Sequence, residues 1–217
     1  FITMLKLAPT LASGSTLVLK PAPETPIDAF ILAEIAASAG LPPGVLNVVP
    51  AGREVGEHLV TAPGVDKVSF TGSTLAGRRI GALCGERLRR CTLELGGKSA
   101  AILLPDVNLD EALPGLLPNS VMNNGQACVA QTRILAPASR YDEAVEAITA
   151  AVASMNVGDP TDMSTDVGPL VAERQRERVE GYIAKGRDEG ATVTTGGGRP
   201  DLPGFFVDPT VFAGVDN

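Results

Sequence analysis

Short runs of apolar and β-branched residues alternate along the chain with stretches of helical spacing. TLVLK (16–20), GVLNVV (44–49) and KVSF (67–70) read as strands, each bounded by Gly, Pro or charge. Between the first two, residues 26–40 carry helix signals: Thr25 as N-cap, Pro26 at the first helical position, and Gly40 past the end. Residues 54–60 predict a short helix, and the TGST turn at 71–74 opens another over 74–84. CTLEL (91–95) and SAAILL (99–104) predict two strands around the pair Gly96 and Gly97. A helix is expected over 109–122, followed by the segment NNGQACVAQ (123–131) and a strand at RILA (133–136). Residues 140–155 show an apolar face at helical spacing, and a charged helix spans 171–189. ATVTT (191–195) closes the pattern as a strand before a Gly/Pro-rich loop.

Such β-α alternation implies an α/β fold with a mostly parallel sheet and helices on both faces. In such sheets ligands bind at the carboxyl ends of strands, where TGST and LGGK lie. The stretch 156–170 is rich in Pro, Gly and Asp and reads as an ordered surface excursion rather than a linker.

The 217 residues suffice for one large domain or two small ones. A net charge of −7 argues against nucleic acid or an anionic membrane surface as the main partner. Apolar runs are broken by Pro, Gly or charge, so no membrane span is expected. Three cysteines form no disulfide framework, which suits a reducing, cytoplasmic setting. The chain starts at Phe1 and stops at FAGVDN without a closing helix, so an internal piece of a longer polypeptide is expected.

The reactive inventory is narrow. The single histidine, His58, lies within a helical pattern and reads as a partly exposed helix residue. That removes Ser-His and Cys-His catalysis and leaves no metal site in prospect. Glu94, between Leu93 and Leu95 at a strand end, is a candidate base: lost water would raise its pKa. A strand-end glutamate paired with Lys98 is the equal alternative on LELGG alone. Cys128 sits among small residues, with Gly125 permitting an unusual turn and Ala127 and Ala130 leaving the sulfur unobstructed. By itself such a cysteine is more often a structural thiol. Cys84 and Cys91 lack these surroundings and are assigned to packing.

LELGGK followed by NNGQACVAQTR resembles the two active-site signatures of the aldehyde dehydrogenase superfamily, at the family's usual separation. KLAPTLASGSTLVLKPAPETP, GLPPGVLNVV, VSFTGSTLAGRRI and DVGPLV fall in the family's order as well, so the resemblance covers nearly the whole chain. It implies a Rossmann-like cofactor-binding sheet followed by an α/β catalytic domain. Residues 1–95 would then be the later part of the NAD(P)-binding domain, and residues 96–217 the first part of the catalytic domain. It further implies oxidation of an aldehyde to a carboxylic acid through a cysteine thiohemiacetal and thioester. Cys128 would be the nucleophile, with its backbone N–H as one oxyanion donor, and Glu94 the base.

By the same resemblance, Lys20 holds the adenine ribose and Gly52 packs beside the adenosine. Gly72 and Ser73 meet the pyrophosphate at a helix N-terminus, and the Leu95 backbone and Gly96 face the nicotinamide. Pro23 stands where NAD-preferring relatives carry a ribose-chelating glutamate, so NADP is possible; NAD is expected first, because no arginine lies in this stretch to receive a 2′-phosphate and Glu24 is one residue on. Leu117, Val121, Met122 and Val129 are candidate substrate-lining residues, with core packing the equal alternative for Leu117 and Val121, and their apolar character suits an aliphatic or aromatic aldehyde. The family's second oxyanion donor and its nicotinamide-ribose glutamate fall outside residues 1–217. Low or no turnover is therefore expected of these residues alone, and a homodimer or homotetramer of the parent. A CoA-acylating semialdehyde dehydrogenase is disfavoured by the presence of Glu94. A non-catalytic scaffold on the same fold is disfavoured by the retained Cys128 and Glu94.

Overall fold

The computed structural model describes residues 1–216. It divides the chain into two compact units, Phe1–Gly96 and Gly97–Asn217.

The first unit runs α1 (Ile2–Ala12), β1 (Leu17–Leu19), α2 (Ile27–Ser38), β2 (Leu46–Val48), α3 (Arg53–Thr61), β3 (Lys67–Gly72), α4 (Thr74–Gly85) and β4 (Arg90–Leu95). Parallel ladders join β1 to β2 and β3 to β4, each across a helical crossover, as parallel pairing requires. The expected parallel sheet thus takes the form of separate two-stranded ladders in this chain. Helix α1 was not anticipated from the pattern: Phe1 provides no side-chain cap and Pro9 lies inside the helix. Pro26 is the N-cap of α2 rather than its first helical residue. A small core gathers Val60 from α3 with Leu83 and Cys84 from α4, and Val68 and Ile80 pack against it. The Arg89 guanidinium donates to the carbonyls of Val60 and Ala62, the latter at 2.7 Å, capping the end of α3.

The second unit contains β5 (Ala100–Ile102), α5 (Leu109–Ser120), β6 (Arg133–Leu135), α6 (Tyr141–Ala153), α7 (Glu173–Asp188), β7 (Thr192–Thr195) and β8 (Val211–Ala213). β5 pairs with β6 in parallel, whereas β7 and β8 are antiparallel. Its core is built from two ridges of i, i+4 spacing, Leu109, Leu113 and Leu117 on α5 against Ala144, Ile148 and Val152 on α6. Pro114 and Pro118 lie inside α5 but on its exposed side, away from that core. The stretch 156–170 is ordered as expected. Val157 bridges Val167, and the Asn156 side-chain amide donates to Ser164 O at 2.9 Å.

Among the described residues no helix is long and apolar enough to cross a membrane.

Candidate functional site

In the first unit, candidate cofactor residues collect where strands end and helices begin. Lys20 follows β1, and its ammonium donates to Pro21 O at 2.8 Å and Ala51 O at 3.0 Å. It therefore ties the ends of β1 and β2 together and keeps a third N–H for another acceptor. Its stem lies along α3: a Cβ at Gly56 would stand 3.4 Å from Lys20 Cδ and Cε. Gly52 is the N-cap of α3, and a Cβ there would meet nothing within 4 Å, so open space adjoins it. Ser73 caps α4, its hydroxyl accepting from Ala76 N at 3.2 Å. No acidic side chain occupies the first turn of α4. Its free amides and the positive end of its dipole are open to an anion. Gly72 has a local reason to be glycine, because a Cβ would come within 2.5 Å of the Phe70 ring.

Strand alternation sorts the residues of β4 onto two faces. Leu95 and Leu93 point at α4, where Cβ atoms at Gly77 and Gly81 would meet them. Glu94 points the other way, in register with Thr71. The flanking leucines therefore do not bury it, and it is exposed, contrary to the desolvation expected from LELGG. Lys6 of α1 reaches this second face and donates to Ser69 Oγ at 2.8 Å. Burial lowers the Lys6 ammonium from its ordinary value, and the charge of Glu94 pushes it back up. Sequence reasoning passed over Lys6. The available signal was a single charge in the otherwise uncharged α1. Gly96 is exposed, with nothing within 4 Å of a Cβ.

In the second unit, Cys128 follows a turn built from consecutive left-handed residues. Asn123, Asn124 and Gly125 have φ of 52°, 56° and 74°. Asparagine is among the few side-chain-bearing residues that tolerate this region. Side chains from the turn lock it to the DVGPLV segment. Asn124 Oδ1 accepts from Gly168 N at 2.7 Å, and its Nδ2 donates to Pro169 O at 3.0 Å. Gln126 Oε1 accepts from Val171 N at 3.1 Å. Two motifs far apart in sequence are thus one hydrogen-bonded piece. Ala130 N donates to Ala127 O at 3.2 Å, closing a turn over Cys128, and Ala130 is buried while Cys128 is exposed. Among the described residues the Cys128 amide donates to no protein acceptor. The carbonyl of Cys128 lies 3.8 Å from a Cβ built on Gly97. Arg133 Nε donates to Lys98 O at 3.1 Å, holding the start of β6 beside the residues that follow Gly97.

Of the substrate-lining candidates, Leu117 lies in the α5–α6 core, the packing alternative for that residue. Met122 and Val129 are exposed, at 40% and 60%. His58 is an exposed residue of α3, and Cys84 is buried as assigned. Cys91 is exposed, so its assignment to packing fails.

Comparison with known proteins finds a match to the "Aldehyde dehydrogenase family" over residues 1–217. Geranial dehydrogenase of Castellaniella defragrans is 54% identical over 216 residues, all of this chain and 45% of that protein. A Mycobacterium tuberculosis aldehyde dehydrogenase solved with NAD+ superposes with a TM-score of 0.95 at 57% identity, over 97% of this chain and 44% of its own. A Bacillus cereus aldehyde dehydrogenase, also in complex with NAD+, gives 0.96 at 40% identity over 99% of this chain and 44% of its own. The chain therefore spans less than half the length of the relatives it matches.

Proposed function

Because the chain belongs to the aldehyde dehydrogenase family, we propose that its protein oxidises an aldehyde to the carboxylic acid, with Cys128 as nucleophile and Glu94 as base. The Cys128 turn carries this reading: an exposed cysteine just after a left-handed segment that Asn124 and Gln126 fix in place, with its own amide N–H free for an oxyanion. In the proposed cycle the thiolate attacks the aldehyde carbonyl, and the amide stabilises the oxyanion of the thiohemiacetal. NAD, when bound, supplies the hydride acceptor that turns this adduct into a thioester. Glu94 then takes a proton from water as the water attacks the thioester, and Cys128 leaves as thiolate. The exposure of Glu94 in this chain leaves it open to that water. A carboxylate retained at this position supports release by water over release by CoA.

The cofactor is read onto Lys20, Gly52, Gly72, Ser73, Leu95 and Gly96. The spare N–H of Lys20 suits a ribose hydroxyl, and the uncapped amides of α4 suit a pyrophosphate. Residues 1–95 serve as the cofactor-binding part and residues 96–217 as the part bearing the nucleophile. NADP remains within reach of this reading, because Pro23 offers no carboxylate to repel a 2′-phosphate. Exposed Met122 and Val129 near Cys128 in sequence, together with the geranial-oxidising relative, support an apolar aldehyde. The whole protein is read as a cytoplasmic homodimer or homotetramer, for which three unpaired thiols favour the reducing compartment.

Alkylation provides the test, because the chain contains its own reference thiol. Cys91 and Cys128 are both exposed. Iodoacetamide labelling followed by peptide mass spectrometry should find Cys128 reacting several-fold faster than Cys91. In the full-length protein, Cys128→Ala should abolish aldehyde-dependent NADH formation. Equal labelling rates, or activity that survives Cys128→Ala, would remove Cys128 as nucleophile.

A further inference from the structure

Cys84 and Cys91 take no part in the proposed chemistry, yet the fold brings them together. Helix α4 lies along β4 in the opposite direction. Gly77 faces Leu95, and Gly81 faces Leu93. One more helical turn beyond Gly81 reaches Cys84 and Gly85, and two residues back along the strand reaches Cys91. The ladder gives the same placement independently. Cys91 is in register with Val68, whose side chain packs against the cluster formed by Val60, Leu83 and Cys84. Partners in a ladder project from the same face, so Cys91 also faces the end of α4. The connection is tight: Arg89 N donates to Cys84 O at 2.9 Å, and Leu88 takes a left-handed φ of 51° to turn the chain. Burial, followed by the neighbouring Cys91, holds the Cys84 thiol above its ordinary pKa.

We propose that Cys84 and Cys91 form an oxidant-sensitive dithiol, which a peroxide converts into an intramolecular disulfide fastening α4 to β4. Exposure assigns the roles. Cys91 is open to solvent, whereas Cys84 is 1% exposed. The Cys91 thiolate attacks one peroxide oxygen, the O–O bond breaks, and Cys91 becomes a sulfenic acid as water departs. The Cys84 sulfur then attacks the Cys91 sulfur. The S–O bond breaks, and hydroxide leaves with the Cys84 proton as a second water. Two thiols and one hydrogen peroxide give one disulfide and two waters. The link would join the helix that starts beside Ser73 to the strand that carries Glu94.

The test uses the full 217-residue chain with Cys128→Ser, so that the third thiol is absent. It is exposed to hydrogen peroxide, alkylated, cut with trypsin and mapped by mass spectrometry without reduction. Cleavage after Arg79, Arg87, Arg90 and Lys98 separates the two cysteines, so the link joins peptide 80–87 to peptide 91–98. Expected is that cross-linked pair in monomeric protein, with a yield independent of protein concentration, lost on dithiothreitol treatment and absent from Cys91→Ser. Cys91 advancing to sulfinic acid while Cys84 remains alkylatable would overturn the proposal, as would links found only between molecules. Cys84 stays unchanged throughout and Cys91 is an exposed position, so the result does not depend on a core substitution.

Discussion

Glu94 and Lys6 share the face of β4 and β3 that turns away from α4. Burial costs the Lys6 ammonium part of its charge stability, and the Glu94 carboxylate returns some of it. Removing that charge gives a one-sided result. In Glu94→Gln the Lys6 titration should move further below its ordinary value, read from its ε-methylene NMR shift against pH. No movement would mean that the two groups do not sense each other. The linkage sign follows from the direction. With a folded value below the unfolded one, the unfolded chain binds more protons between the two, so the Lys6 contribution to stability rises as pH climbs through that window. Glu94 was legible in sequence as a candidate base but not in its exposure. Leucines on either side suggest burial, whereas alternation sends them to one face and the carboxylate to the other. Lys6 was not legible, because a helix without a side-chain cap and with an internal proline gave no reason to place it.

Packing of α4 on β4 sets how much the elements tolerate. At Gly77 a Cβ would come within 2.4 Å of Leu95 Cδ2 and 3.2 Å of its Cγ. Gly77→Ala therefore pushes the branch of Leu95, not only its tips, and overpacking of this kind costs about 1–3 kcal/mol. At Gly81 the nearest atom, Leu93 Cδ1, would lie at 3.5 Å, an ordinary contact. Gly81→Ala should be neutral or should gain up to about 1 kcal/mol from helix propensity. Urea unfolding of the two variants side by side checks the contrast, and equal effects would contradict this packing of α4 on β4. Several elements were readable from pattern alone. α4 begins at TGST because Ser73 caps it, and α5 follows the i, i+4 leucines despite two prolines. β8 escaped notice because three residues after a Gly/Pro-rich loop carry no period. Its place is set instead by tertiary contacts: Gly214 N donates to the Tyr141 hydroxyl at 2.7 Å, and a Cβ at Gly186 would touch the Phe212 ring.

Over the whole molecule, the family and the order of its motifs were legible because they rest on residue identity. The bond between the Cys128 turn and DVGPLV was not, because side-chain amides reaching over long sequence separations leave no periodic trace. The molecule's charge balance is similarly hidden in partners. Its net charge is −7, yet two kinds of contact hold carboxyls below their ordinary range. Glu57, Glu143 and Glu180 are lowered first by hydrogen bonds from Arg79, Arg140 and Arg199. Asp159 and Asp162 are lowered by backbone N–H and hydroxyl donors of Thr161 and Ser164, each at 2.8 Å. A carboxyl depressed on folding adds stability that is complete above its unfolded value and is lost as pH falls through its folded value. Stability should therefore decline on the acid side through the carboxylate range. Salt separates the two kinds. At about 1 M the screening length shrinks to roughly 3 Å and exposed ion pairs weaken, whereas donors within the same turn carry no net charge to screen. Carboxylate NMR titrations at low and high salt should show Glu57, Glu143 and Glu180 returning toward their ordinary range while Asp159 and Asp162 stay. If all five move together, the aspartates are held by the surrounding field rather than by their own turns.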